Sequence, residues 1–399
     1  MPKLFRSQLA MSLSAVFFGA IAGLLLGPRA ADLAMVSWVP IAMIKGLATP
    51  LVFLAIIVGI MDRAMTGQGV RRMLTVCAIN ATAAILIAGL LVNLLKPGVH
   101  LSALIKDVML LKPSSVAATS WQDAVKALVP DSFFGPFVTN NIPATLILSI
   151  LCGLSLRRMS AGEIPEAWYG TLTAGLHRAL EMVSGMIHMV LYLMPIAIFA
   201  SVAKATGQNG LGVFGGLMWY VAICVGGMLI QILFVYQAWI WFWSKKSLPV
   251  FWHHARLPMT YSFGVNSSLA TLPATLKALD DLQVSRGSSR LGACVGTNFN
   301  NDGILLYEVA AILMLAQAAG LNWSLAHQIG MAAVCVLATL GVSGFPEAGI
   351  VALTLVITSA GLPIELLPLL LPVDWLVARM RSVTNVVSDM TVSLAIDRP

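Results

Sequence analysis

Six apolar runs recur in the first 245 residues, at about 8–27, 39–61, 73–95, 135–156, 179–203 and 211–243. Each is near or above the roughly 20 residues that a helix needs to cross a bilayer, and the last two are long enough to tilt or to continue beyond it. In lipid a helix satisfies its own backbone hydrogen bonds, so repeated runs of this length point to an all-α polytopic membrane protein. Composition agrees. The chain of 399 residues is 58% hydrophobic and 10% charged, where an ordinary soluble domain carries about 25% charged residues.

The net charge of +7 raises the question of a nucleic-acid partner, and its distribution answers it. Lys3 and Arg6 precede the first run; Arg63, Arg71 and Arg72 lie between the second and third; Arg157 and Arg158 follow the fourth; Lys245 and Lys246 follow the sixth. These are alternate loops, the pattern of a multi-pass protein with a cytoplasmic N-terminus. The C-terminus is likewise expected to be cytoplasmic, and the chain to lie in the cell (inner) membrane. Arg29, Lys96, Lys106, Lys112 and Lys126 lie on the other side, four of them in the long 96–131 loop, where the bias carries little weight. The basic balance is read as topology, with the bilayer and not nucleic acid as partner. The first thirty residues imitate a secretion signal, but their apolar run of about 20 residues exceeds a typical signal core. The five cysteines, at 77, 152, 224, 294 and 335, show neither paired nor metal-ligand spacing and read as small apolar packing residues.

After residue 246 the texture changes. The stretch 251–281 has short apolar arms around Gly264-Val-Asn-Ser-Ser-Leu-Ala-Thr-Leu-Pro273, and 325–362 has two arms around Gly341-Val-Ser-Gly-Phe-Pro-Glu-Ala-Gly349. Arms of roughly 10–15 residues are too short to span, so both read as re-entrant segments. Broken segments at corresponding positions are the best sequence pointer to a transporter's binding site. A helix comes after each, at 289–318 and 365–396, giving a hairpin–helix unit twice over.

Four ionisable residues lie within this apolar region: Asp302, Glu308, Arg381 and Asp389. A charge at membrane depth costs roughly 2.5–3.5 kcal/mol on insertion scales, so each faces a partner, a cavity or a ligand. Residues 374, 378, 381, 385 and 389 are spaced 4-3-4-4 and form one helix face reading Asp374, Ala378, Arg381, Asn385, Asp389. Arg381 is a natural carboxylate clamp, permanently charged and able to bind bidentately; the alternative is an internal salt bridge to Asp374 or Asp389. Asn300, Asn301 and Asp302 beside Gly303 do not continue a comfortable apolar helix. An unwound turn there would offer carbonyl oxygens and one hard anionic oxygen, a ligand set suited to a small alkali cation. The alternative is a kinked helix whose Asn and Asp bond to neighbouring helices. Glu308 is a second buried carboxylate and a candidate proton carrier, or a structural acid bonded to Tyr307. Glu347, in the second tip, is either a gate-region acid or a solvated residue.

Together the residues resemble the glutamate transporter family, the dicarboxylate/amino acid:cation symporters, over nearly the whole chain. The matching signatures are Ser267-Ser-Leu-Ala-Thr-Leu-Pro273, Asn300-Asn-Asp-Gly303 for the family's Asn-Met-Asp-Gly-Thr, Gly344-Phe-Pro-Glu-Ala-Gly349, and Arg381-Ser-Val-Thr-Asn385 leading to Asp389. The resemblance implies eight transmembrane helices, two re-entrant hairpins, inverted repeats and a homotrimer working as an elevator. Scaffold helices 1–2 would lie in 1–70 and 4–5 in 132–205, with an extracellular loop at 97–131. Transport-domain helix 3 would lie in 71–96, helix 6 in 206–246, and the core of both hairpins and the last two helices in 247–399. By the same resemblance the substrate would meet Ser267, Ser268, Gly344, Phe345, Gly349, Arg381, Ser382 and Asn385, with Arg381 on its distal carboxylate and Ser268 and Asn385 on the other. One cation site would use carbonyls of Gly296, Asn300 and Asn385 with the carboxylates of Asp302 and Asp389, the places where Na⁺ is expected. A second would use carbonyls at Asn298, Thr339 and Val342. No cofactor is implied, only the coupling ions Na⁺ or H⁺ or both.

Departures from the family pattern carry information. Ala378 stands where amino-acid-carrying members place an Asp for the substrate ammonium, a partner worth roughly 1.5–3 kcal/mol. Ile304 replaces a Thr that helps hold the distal carboxylate, Asn301 a Met and Glu347 a Gly. Asn80 and Thr82 stand where the family's deepest sodium site uses Tyr, Thr and Ser. Leu306-Tyr-Glu308 matches members that carry protons or countertransport ions through that Glu. The leading expectation is a cation-coupled symporter of a small anionic solute, a C4-dicarboxylate before an acidic amino acid. An intramembrane aspartyl hydrolase using Asp302 and Asp389 would leave Arg381 and both hairpins without a role.

Overall fold

The computed structural model describes residues 2–61, 68–102, 129–130, 132–139, 141–160, 166–210, 212–244, 246–341 and 348–397. Among these residues the protein is helical throughout, with no strand. Six helices lead: α1 (Pro2–Leu26), α2 (Ala34–Met61), α3 (Gln68–Leu95), α4 (Ile142–Ser160), α5 (Glu166–Leu191) and α6 (Met194–Asn209). The apolar run at 179–203, read from sequence as one span, is divided between α5 and α6. Pro195 lies in the first turn of α6, where its missing N–H costs nothing; it can offer no hydrogen bond to the Leu191 carbonyl four residues back, where α5 ends.

The run at 211–243 is α7 (Gly212–Ile230), a π-helical stretch at Gln231–Tyr236, and α8 (Gln237–Trp243). A π turn shifts the register of everything after it and is common at functional sites. Among the described residues three segments are long and apolar enough to cross a membrane: Ser14–Leu33, Gly69–Leu95 and Gly215–Trp243.

The broken stretches form two pairs of helices, as their pattern leads one to expect. In the first, α9 (Leu248–Val265) and α10 (Ser268–Asp281) pack against each other and are joined by two residues only. Asn266 closes α9 in a left-handed conformation at φ 52°, ψ 40°, its N–H donating to the Ser262 carbonyl, a position that Asn tolerates better than most residues. Ser267 opens α10 by accepting the Ala270 N–H at 3.1 Å, satisfying a donor the helix start leaves over. In the second pair, α12 (Leu325–Gly341) packs on α13 (Ala348–Ser359). The second tip, with Val342, Gly344, Phe345 and Glu347, lies outside the described residues.

The remaining long helices are α11 (Asp302–Ala318) and α14 (Leu367–Ile396), beside two five-residue helices at Gly135–Thr139 and Arg286–Arg290. Nearly every residue of α11 is buried, as a helix apolar all round should be. It packs on α3, α7, α13 and α14. Helices α1, α2, α4, α5 and α6 associate mainly with one another, α1 lying along α6 and α2 against α4, α5 and α6. The α1–α6 crossing is tight because small residues face each other: a Cβ on Gly23 would fall 2.4 Å from the Ala203 carbonyl oxygen, and one on Gly207 2.3 Å from that of Gly27. Small residues at a crossing let backbones approach where lipid supplies no hydrophobic drive.

Candidate anion and cation site

The site is built where the start of α11 meets the middle of α14. A second π stretch, Leu291–Val295, and a 3-10 turn, Gly296–Asn298, precede a non-helical Phe299–Asn301, and α11 begins only at Asp302. The unwound knot expected from the sequence is therefore present. Its groups are held by α14: the Gly303 N–H donates to Asn385 Oδ1 at 2.9 Å, and the Asn385 amide donates to Asn301 Oδ1 at 3.3 Å. Gly303 is required by the approach itself, since a Cβ there would sit 2.7 Å from the Arg381 carbonyl oxygen and 2.9 Å from its Cα. Neither backbone atom can move aside cheaply. Gly303→Ala is expected to cost about 1–3 kcal/mol through overpacking, read as a lower midpoint in detergent thermal melts together with weakened substrate binding.

Asp302 and Asp389 are 1% and 3% exposed. Asp302 Oδ2 accepts the Tyr236 hydroxyl at 2.8 Å and lies 2.6 Å from Ser388 Oγ, while Oδ1 has no protein partner. Ser388 Oγ also lies 2.9 Å from Asn300 Oδ1 and accepts from the Asn80 amide at 3.4 Å. Asp389 Oδ1 accepts the Asn300 amide at 3.4 Å. No hydrogen bond joins the two carboxylates, and among the described residues neither has a basic partner. Two buried carboxylates served only by neutral donors are costly unless a cation or proton accompanies them.

The carbonyls proposed beside them differ in availability. That of Gly296 accepts the Phe299 N–H at 2.7 Å, leaving its second lone pair. That of Asn385 lies mid-helix, where the ladder engages one lone pair. Asn300 is outside regular structure. Asn298 ends the 3-10 turn, and Thr339 lies two residues before the last described residue of α12.

Arg381 lies two turns before Asp389 on α14, a rise of about 12 Å. Its NH1 and NH2 reach Asp374 Oδ1 and Oδ2 at 3.0 and 3.4 Å, and its guanidinium carbon lies 4.1 Å from the Tyr307 ring centroid. The internal salt bridge offered as the alternative for Arg381 is thus formed, with Asp374 and not Asp389. Gly349, the second residue of α13, abuts this group: a Cβ on it would lie 2.5 Å from the guanidinium carbon. A guanidinium has five N–H donors, so any carboxylate ligand brought to this group would have to share it with Asp374 or displace Asp374.

The other residues named from sequence fall around this seam. Ser382 Oγ donates to Asn266 Oδ1 at 3.2 Å, tying the first tip to α14. Ser267 serves as the α10 cap, and Ser268 is half-buried beside it. Glu308 is fully buried, with Oε2 accepting the Thr339 hydroxyl at 3.0 Å and Oε1 without a protein partner; Tyr307 covers Arg381 instead of bonding Glu308. Ala378 is buried and brings no charge. Sequence reasoning missed Tyr236, Gln231, Trp239 and Ser388. Gln231 donates to the Asn80 carbonyl at 3.0 Å and Trp239 Nε1 to Asn80 Oδ1 at 2.7 Å, so Asn80 is held by protein groups on three sides. A glutamine in an apolar run was a signal for Gln231. Ser388, three residues beyond Asn385, shares its face.

The model of the sodium:dicarboxylate symporter family matches residues 9–398. The C4-dicarboxylate transport protein of Solibacter usitatus is 25% identical over 407 residues, covering 99% of this chain and 93% of the relative. That of Deinococcus deserti is 24% identical, covering 99% and 90%. Excitatory amino acid transporter 1 of Homo sapiens is 31% identical over 212 residues, 52% of this chain, and the match spans about two fifths of that relative's length, 39%. The knot, the arginine-bearing helix and the extent of the match agree, and the chain belongs to the sodium:dicarboxylate symporter family.

Proposed function

We propose that the protein is a secondary symporter carrying a small dicarboxylate, a C4 diacid foremost, together with Na⁺, H⁺ or both. One observation carries this reading: α14 and the start of α11 hold a guanidinium and, two turns away, two buried carboxylates with no basic partner among the described residues. The guanidinium suits an anion and the carboxylates suit a cation, so each ligand offsets the field of the other. Ala378 offers an ammonium group nothing, and Asp374 is engaged with Arg381. The C4-dicarboxylate relatives that match along nearly the whole chain support the same choice.

In this reading α9–α10 and α12–α13 are re-entrant hairpins, and the second is the gate on the anion. Helices α3 and α7–α14 move as a transport body against a scaffold of α1, α2 and α4–α6, within a trimer in the inner membrane. The separate association of these two groups of helices supports that division. Labelled succinate and labelled aspartate, offered to proteoliposomes under separately imposed Na⁺ and pH gradients, test the substrate. Succinate uptake exceeding aspartate uptake is expected; aspartate strongly preferred would instead favour the acidic amino acid reading, with Glu347 the ammonium partner. Glu308→Gln is expected to remove the pH dependence of succinate uptake while leaving its Na⁺ dependence, because the carboxamide keeps the bond to Thr339 but takes up no proton. An unchanged pH profile would make Glu308 a structural acid.

A further inference from the structure

We infer that the outer face of α3 is a binding site for one anionic phospholipid. Two adjoining hollows share Arg71, Thr75 and Ile79 and form one groove. The upper part, about 520 Å³, is walled by Arg71, Arg72, Trp239 and Trp243; the lower, about 850 Å³, runs along α3 past Ile79 to Leu86. From Arg71 to Leu86 is a rise of about 22 Å, more than half of a hydrocarbon core of about 30 Å. One end is therefore basic and aromatic, and the rest is an open, mostly apolar channel on the helix surface, as long as an acyl chain needs.

Charge complementarity selects the occupant. Arg71 and Arg72 are exposed, and neither has a carboxylate partner among the described residues. Both lie at the end of α3 that the charge bias makes cytoplasmic, in the hollow that Trp239 and Trp243 also line. Tryptophans gather at headgroup depth, and basic residues there attract anionic lipid. A free phosphate would satisfy the arginines but leave the channel unexplained, and a zwitterionic lipid would bring its own cation to them.

The site also bears on transport. Trp239 forms part of the groove wall and donates to Asn80, whose amide donates to Ser388, which bonds at Asp302. A lipid seated against Trp239 fixes the first link of that chain.

Native mass spectrometry of the full-length protein, mixed with phosphatidylglycerol or phosphatidylcholine of matched chains, tests the proposal, with thermal midpoints in detergent read in parallel. Phosphatidylglycerol is expected to remain bound and to raise the midpoint, with inorganic phosphate and phosphatidylcholine doing neither. The Arg71→Gln/Arg72→Gln variant is expected to lose at least tenfold in phosphatidylglycerol affinity. Ala78→Phe fills the channel, keeps both arginines and is expected to lose binding equally, which covers a double variant that fails to fold. Equal retention of the two lipids, the same shift from phosphate alone, or undiminished binding by Ala78→Phe would overturn the assignment.

Discussion

Arg381→Ala is expected to abolish dicarboxylate uptake, by on the order of 100-fold or more in kcat/KM, and also to destabilise the protein. The two effects have different causes. A bidentate arginine–carboxylate pair supplies two charge-assisted hydrogen bonds of about 1.5–3 kcal/mol each, and the substrate loses them. Separately, Asp374 is 4% exposed and its described ion-pair partner is Arg381; removing one member of a buried pair costs about 3–5 kcal/mol. The double variant Arg381→Ala/Asp374→Asn separates them. It should recover most of the thermal midpoint, because no charge is stranded, and recover none of the uptake. Recovery of uptake with the midpoint would show that Arg381 serves only to neutralise Asp374.

Asp389→Asn should uncouple the cation. The amide keeps an oxygen for the Asn300 donor, so the fold is expected to survive within about 1 kcal/mol, the worth of a typical hydrogen bond. The cation loses one of two anionic ligands in a site shielded from water, where a charge interaction is worth several times its value in bulk. The Na⁺ concentration for half-maximal uptake is expected to rise by on the order of 100-fold. Radiolabelled uptake across a Na⁺ titration, beside a thermal melt, checks both halves. An unchanged Na⁺ requirement would place the cation elsewhere.

The helical character of the first half of the chain was legible through its apolar runs, because a helix in a bilayer must satisfy its own backbone. The run at 179–203 shows where that signal fails: hydropathy continues across Tyr192–Leu193, while α5 ends at Leu191, four residues before Pro195, which has no N–H to continue the ladder. At the site, Asp302, Asn385 and Asp389 were legible because polar residues in an apolar helix have few places to go. The spacing from Arg381 to Asp374 named the partner that the structure shows, though periodicity offered Asp389 equally. The residues that stayed hidden depend on register. The π stretches at Gln231–Tyr236 and Leu291–Val295 rotate the helical turns beyond them, so ideal periodicity did not bring Tyr236 to Asp302 or Trp239 to Asn80. The same network engages the Asn80 side chain, which stands where the family pattern has another residue, with Trp239 and Ser388.

If an anion at Arg381 and a cation between Asp302 and Asp389 occupy one polar seam, each must strengthen the other's binding by the same factor. The direct measurement is the dissociation constant of succinate for the purified protein by calorimetry, across a range of Na⁺ at fixed ionic strength and at two pH values. The affinity should rise at least tenfold with Na⁺ or with protons, and the cation affinity should rise equally with succinate. A succinate constant that ignores both would contradict the placement of the two ligands in a shared site.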